Sequence, residues 1–169
     1  MIVSKNTQNA LIEMIGEAFT LNRKVDRMVS VLGTKFACNQ AADLIHYNIA
    51  HIYPVWADVL GSECLERYNI PVYYPSTPSG GQDYNSVMDI VKELEKVNLD
   101  FQSMLMGCIK IAFDNKDIHI YADLLGLLTE VNKIVGQTIL LSDKIDLYKD
   151  NITAFDHDIK DFWILEDEH

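Results

Sequence analysis

The stretch Asn69-Ile70-Pro71-Val72-Tyr73-Tyr74-Pro75-Ser76-Thr77-Pro78-Ser79-Gly80-Gly81-Gln82-Asp83 decides how the rest of the chain is read. It holds three of the four prolines and two adjacent glycines, so it cannot continue a helix. Extended at about 3.3 Å per residue, such a segment reaches roughly 45 Å. That is the length of a helix of about 30 residues at 1.5 Å per residue. The segment can therefore carry the chain along a whole helix and back to the end where that helix began.

Long helical patterns lie on both sides of it. Upstream, the first runs from about Ser4 to Leu32, with Ala10, Met14, Leu21, Val25 and Met28 at spacings of three and four. A cap is expected near Ser4 or Asn6, and a stop at Gly33-Thr34, where glycine can take the left-handed conformation. The second runs from about Lys35 to Tyr68, with Ala41, Ile45, Ile49, Ile52, Val59 and Leu60 inward and a kink or bulge expected at Pro54. Downstream, a third spans about Tyr84 to Phe113, and a tight turn at Asp114-Asn115-Lys116-Asp117 leads into a fourth that ends near Lys149. Short connections force antiparallel neighbours, so helices one and two pair, as do three and four. The long crossover leaves helices two and three parallel.

Composition bounds what such a bundle can do. The 169 residues suit one domain, and about half are apolar, enough for a core. A formal charge of −11 argues against a nucleic-acid partner, and no apolar run is long enough to span a membrane. The start of the chain, Met1 to Asn6, lacks the pattern of a secretory signal. Cys38, Cys64 and Cys108 are scattered and odd in number, which fits small buried hydrophobes in a reducing, cytoplasmic setting. Residues 1–150 form the bundle, and 151–169 an acidic, aromatic tail. Phe155, Ile159, Phe162, Trp163 and Ile164 make that tail a segment expected to pack on its own bundle or on a neighbouring subunit of a homo-oligomer.

The order short, long, short in the connections resembles the ferritin-like superfamily over about residues 5–149. The resemblance implies an all-α, ferritin-like four-helix bundle with one long crossover between helices two and three. In that family the helices supply, in order, Glu, Glu-x-x-His, Glu, and Glu-x-x-His or a reduced version of it, around two metal ions. Here Glu17 lies between Met14 and Leu21, and Glu130 between Leu127 and Ile134, each about a dozen residues into its helix. Asn48-Ile49-Ala50-His51 is similar to the Glu-x-x-His motif, with Asn in place of Glu. Counting from Gly33 puts His51 opposite residue 16 or 17. Helix three offers Glu95, with Asp100 as competitor. Lys133 stands where some members carry His, and it could supply positive charge in place of a metal.

The resemblance thus implies a metal layer of Glu17, His51, Glu95 and Glu130. It would hold iron, manganese or another divalent cation and oxidise Fe(II) with dioxygen. Glu17 and Glu130 would be terminal ligands, Glu95 or Asp100 the bridge, and His51 the nitrogen ligand. Asp43-Leu44-Ile45-His46 is a second carboxylate-x-x-His, more readily read as facing helix one or solvent. A miniferritin-like interfacial site would need His51 with Asp58, but Ser62 stands four residues beyond Asp58, with Glu63 beside it. The rival expectation is a metal-free bundle with a relict site, serving assembly or partner binding.

Overall fold

A computed structural model describes residues 2–166. The first helix, α1 (Lys5–Thr34), starts at Ser4, whose hydroxyl accepts from the Thr7 amide. Its stripe from Leu11 through Met14, Ala18, Leu21, Val25 and Met28 to Leu32 is buried. The expected glycine stop is displaced. Gly33 lies inside the helix, and the left-handed residue is Ala37 (φ 53°). The Cys38 amide then closes on the Leu32 carbonyl at 2.9 Å.

The second arm is not one helix from Lys35. It consists of α2 (Asn39–Ile45), a π-helical turn His46–Ala50, α3 (Ile52–Asp58), a second π turn Val59–Glu63 and a 3₁₀ turn Glu66–Tyr68. Pro54 has no amide hydrogen to give the Ala50 carbonyl four residues back. That carbonyl instead accepts from the Asn22 amide of α1 at 3.0 Å. The extra residue absorbed by the first π turn also shifts the inward positions. Tyr53 and Leu60 are fully buried, whereas Ile52 and Val59, expected inside, are half-buried.

The crossover climbs α1 as its length requires. Pro75 packs over Gly16, Thr77 accepts from Arg23, and Gln82 reaches the Lys24 carbonyl. At Gly80 a Cβ would lie 2.8 Å from the Arg23 carbonyl oxygen, so only glycine lets the two backbones approach this closely. The chain then enters α4 (Val87–Asp114), capped by Ser86 accepting from the Asp89 amide, slightly later than the expected start at Tyr84. A turn with Lys116 left-handed (φ 62°) leads to α5 (Ile118–Tyr148).

Hydrogen bonds between helices fix their directions. Lys35 reaches the Tyr84 carbonyl, joining the beginnings of the second arm and α4. Lys92 near the start of α4 bonds Ser142 and Asp146 near the end of α5. Arg67, at the end of the second arm, pairs with Asp123 near the start of α5. The second arm and α4 are therefore parallel, as the crossover demanded. After α5 the short α6 (Ile152–Asp158) folds back, with Phe155 and Ile159 fully buried. Asp156 accepts from the amides of Gln40 and Ala41, capping α2. The described part of the tail, through residue 166, thus makes contact with its own bundle.

Asp117 ties the beginnings of α1 and α5 together. Its carboxylate accepts from the hydroxyls of Ser4 and Thr7 at 2.6 Å each, and from the Ser4 amide. Burial raises the carboxyl's pKa, but these hydrogen bonds outweigh it and hold it below the ordinary value of 3.8. Asp117→Asn should reduce unfolding free energy at pH 7 by about 1.5–3 kcal/mol. A depressed folded pKa gives stability that is complete above the unfolded value and is lost as pH falls through the folded one. Urea midpoints of the two proteins should therefore converge as pH drops below 3.8.

Candidate functional site: a cleft between the second arm and α5

The four expected metal ligands do not meet in a buried layer. Glu17 and Glu95 are half-buried on α1 and α4, and His51 is exposed at the joint before α3. The Glu130 side chain is 46 % exposed, and Lys133 Nζ donates to it at 3.1 Å. Asp100, the competitor of Glu95, is exposed and paired with Lys96 at 2.8 Å. Asp43 and Asp58 both face solvent. His119 and Asp123, four apart, do not pair with each other: His119 packs on Tyr68, and Asp123 on Arg67. Among the described residues no three of His, Cys, Asp and Glu gather closely enough to hold a metal ion.

Neutral groups occupy the interior instead. Tyr53, completely buried, donates its hydroxyl to Asn98 Oδ1 at 2.8 Å. Asn98 donates in turn to the Leu94 carbonyl at 2.8 Å. Burial drives the Tyr53 pKa well up against the opposing hydrogen bond, so the phenol stays a proton donor. Trp56 stacks on Phe101 at 5.3 Å and meets Tyr53 edge-on at 5.4 Å. The thiols are equally closed to chemistry. Burial pushes Cys38 up to about 11, and Cys64 and Cys108 up to about 12.

Asn48, His51, Glu130 and Lys133 do converge, on a surface cleft of about 360 Å³. Its floor and sides are apolar, from Ile52 and Val55 of the second arm and Ile134 of α5, with Ile164 and Leu165 of the tail as a third wall. Tyr47, Asn48, His51, Glu130, Lys133 and Glu166 supply the polar groups. The first π turn shapes one side. Residues five apart would stand roughly 140° apart around an α-helix, yet His46 and His51 pack edge to face at 4.3 Å. Tyr47 adds a perpendicular contact to His51 at 5.7 Å.

Gln137, fully buried, positions the third wall. Its Oε1 accepts from the Ile164 amide at 2.6 Å and the Leu165 amide at 3.3 Å, and its Nε2 donates to the Phe162 carbonyl. Neither Gln137 nor the Tyr53–Asn98 pair was expected as a functional element. The signal for Asn98 was there: a carboxamide between Leu94 and Phe101 on the α4 stripe.

No protein-family model and no curated protein sequence matches the chain. Solved structures do. A humanized archaeal ferritin superposes with a TM-score of 0.87 at 11 % identity, over 97 % of this chain and 99 % of that one. An open-pore ferritin from the hyperthermophilic archaeon Archaeoglobus fulgidus gives 0.84 at 12 % identity, over 98 % and 99 %. A closed form of that ferritin, engineered by site-directed mutagenesis, gives 0.81 at 14 %, over 97 % and 98 %. The chain has the ferritin-like fold.

That fold implies a metal centre inside the bundle, and the residues here do not fit one. From the first π turn through α3 the buried side chains of the second arm are Ile49, Ala50, Tyr53, Trp56 and Ala57, none of them a carboxylate or an imidazole. The ferritin-like bundle is closed at mid-height by the phenol–carboxamide bond and the Trp56–Phe101 stack. Tyr53→Phe should strand the Asn98 carbonyl and lower stability by about 1–3 kcal/mol. The double variant Tyr53→Phe, Asn98→Leu should recover much of that loss, because both partners are then apolar. Denaturant titration of the three proteins measures both effects.

Proposed function

We propose that this chain is a ferritin-like assembly subunit whose bundle centre is structural and whose work is carried by its surfaces. The Tyr53–Asn98 bond carries the reading: the central polar pair is neutral and satisfies itself without a cation. Two ionised carboxylates at that level would each cost several kcal/mol unless paired, and the described core contains neither. The subunit would form a homo-oligomer and work in the cytoplasm, where three unpaired, buried thiols are stable.

A second reading has one specific support, the shared cleft of His51 and Glu130, with Glu166 adjacent. In it, iron, manganese or another divalent cation is a cargo or substrate bound through His51 and Glu130. Glu17 and Glu95 would join only after side-chain rearrangement, and ferroxidase-type chemistry would follow from that set. The ferritins it superposes on favour iron over other metals for this reading.

One set of measurements separates the two. The purified protein should carry no stoichiometric iron, manganese or zinc by elemental analysis, and anaerobic calorimetric titration with Fe(II) should give no saturable heat. Its mass in solution should be a multiple of 19.2 kDa. Saturable Fe(II) binding by the wild type that disappears in Glu130→Ala and in His51→Ala would transfer the assignment to the metal reading.

A further inference from the structure

The cleft between the second arm and α5 is apolar over most of its lining. Val55 is 51 % exposed, Tyr47 55 % and Ile164 59 %, all on this one concavity. Ile52, Ile134 and Leu165 continue the same walls. Single apolar side chains at a surface are ordinary, but these gather around one hollow. The walls are also held in place by the fold itself. Gln137, fully buried, fixes the third wall through the Phe162 carbonyl and the Ile164 and Leu165 amides. On the side of the second arm, the first π turn packs His46 against His51 at 4.3 Å and sets Tyr47 perpendicular to His51 at 5.7 Å. A preformed hollow spends little binding energy on ordering its own side chains.

We infer that this cleft binds a small organic monocation, an ammonium carried on an aliphatic or aromatic body. The inference goes beyond the assembly reading and stands without it. Size selects a small molecule. The hollow of about 360 Å³ lies at the lower end of the roughly 300–1,000 Å³ range of small-molecule sites. As a cube it would be about 7 Å on edge, too narrow for a helix roughly 10–12 Å across. The lining selects an organic body. An inorganic cation gains nothing from aliphatic walls, and among the described residues no three of His, Cys, Asp and Glu gather to ligate one.

Charge selects the sign. Two carboxylates, Glu130 and Glu166, line the cleft with one lysine, Lys133. Lys133 Nζ already lies 3.1 Å and 3.4 Å from the two Glu130 oxygens. With His51 counted as neutral, the described lining is short of one positive charge at pH 7. The formal charge of −11 on the whole chain draws cations towards it as well. The ring face of Tyr47 acts in the same sense, since it attracts an ammonium and disfavours a carboxylate. The ammonium therefore belongs at the acidic groups, with its body against Val55, Ile134 and Ile164.

The test is calorimetric titration of the full chain at low salt, with a metal chelator present throughout. The probe is phenethylammonium, and hydrocinnamate and phenethyl alcohol are the anionic and neutral controls of similar size. The wild type should bind the ammonium saturably, about five-fold or more tighter than the alcohol, and should not bind the carboxylate. Glu166→Gln should weaken the ammonium by about two- to five-fold. The double variant Glu130→Gln, Glu166→Gln leaves Lys133 as the charged group and should reverse the preference towards hydrocinnamate. Val55→Trp, on an exposed position, should fill the cleft and abolish binding of every probe while circular dichroism shows unchanged helix content. Equal binding of alcohol and ammonium to the wild type overturns the inference. So does binding that survives Val55→Trp, a preference unchanged in the double variant, or no saturable heat from the ammonium up to about 10 mM. Subunit mass, measured separately, decides the assembly reading alone.

Discussion

Pro54 cannot donate to Ala50, and much of the arrangement around the second arm follows from that one missing hydrogen bond. A carbonyl buried without a partner costs about 1–3 kcal/mol. Asn22 removes the cost by reaching across from α1. Just before the proline the helix takes up an extra residue as a π turn, with the His51 amide bonded to the His46 carbonyl at 3.2 Å. That turn sends Tyr53 into the core and brings His46 and His51 together on the outside. Local π turns in helices are frequent at functional positions, and here the turn separates a closed interior from a polar cleft.

The closed interior has its own energetic logic. A mid-bundle carboxylate layer would need a cation, a shared proton or a lysine to offset its desolvation. A phenol and a carboxamide need only each other and one backbone carbonyl, and Asn98 finds that carbonyl at Leu94. Phe101 and Trp56 then pack against the pair without charge to exclude. Helix length, crossover and apolar stripes are sufficient to build the ferritin-like architecture around this neutral pair.

That distinction marks what the amino-acid sequence could convey. The crossover was legible because Pro71, Pro75, Pro78 and Gly80-Gly81 leave no helical reading, and its length fixes which helices are parallel. His51 and Glu130 line one cleft, but the azimuth of each side chain was not legible. His51 stands about 200° around the helix from Ile49 at 100° per residue, so if Ile49 is inside, His51 is not. Asn48, His51 and Val55 form a stripe of their own, the one that lines the cleft. Glu17 and Glu130 each lie about 60° off an inward residue three positions before, Met14 and Leu127, which is why both are half-buried. The π turns could not be read from periodicity, since an inserted residue is invisible until the phase beyond it is known. Neither could Gln137, whose partners are backbone groups of a tail 25 to 28 residues away.

Helix α5 draws these threads together, because it is apolar on more sides than one bundle can cover. Charged residues interrupt it, so it holds no unbroken apolar run of membrane-spanning length. By length and mean hydropathy it nonetheless passes for a membrane-crossing helix, and less than half of its most apolar window is buried. A helix that is hydrophobic all round needs cover all round. The core takes Leu124, Leu127, Val131, Leu141 and Ile145. Gln137 anchors the folded-back tail, whose Ile164 and Leu165 stand opposite Ile134 across the cleft. What is left is the side away from the tail, where glycines stand open. Its own fold covers two sides of α5 and, among the described residues, leaves Ile118, Leu125 and Ile139 of the third exposed.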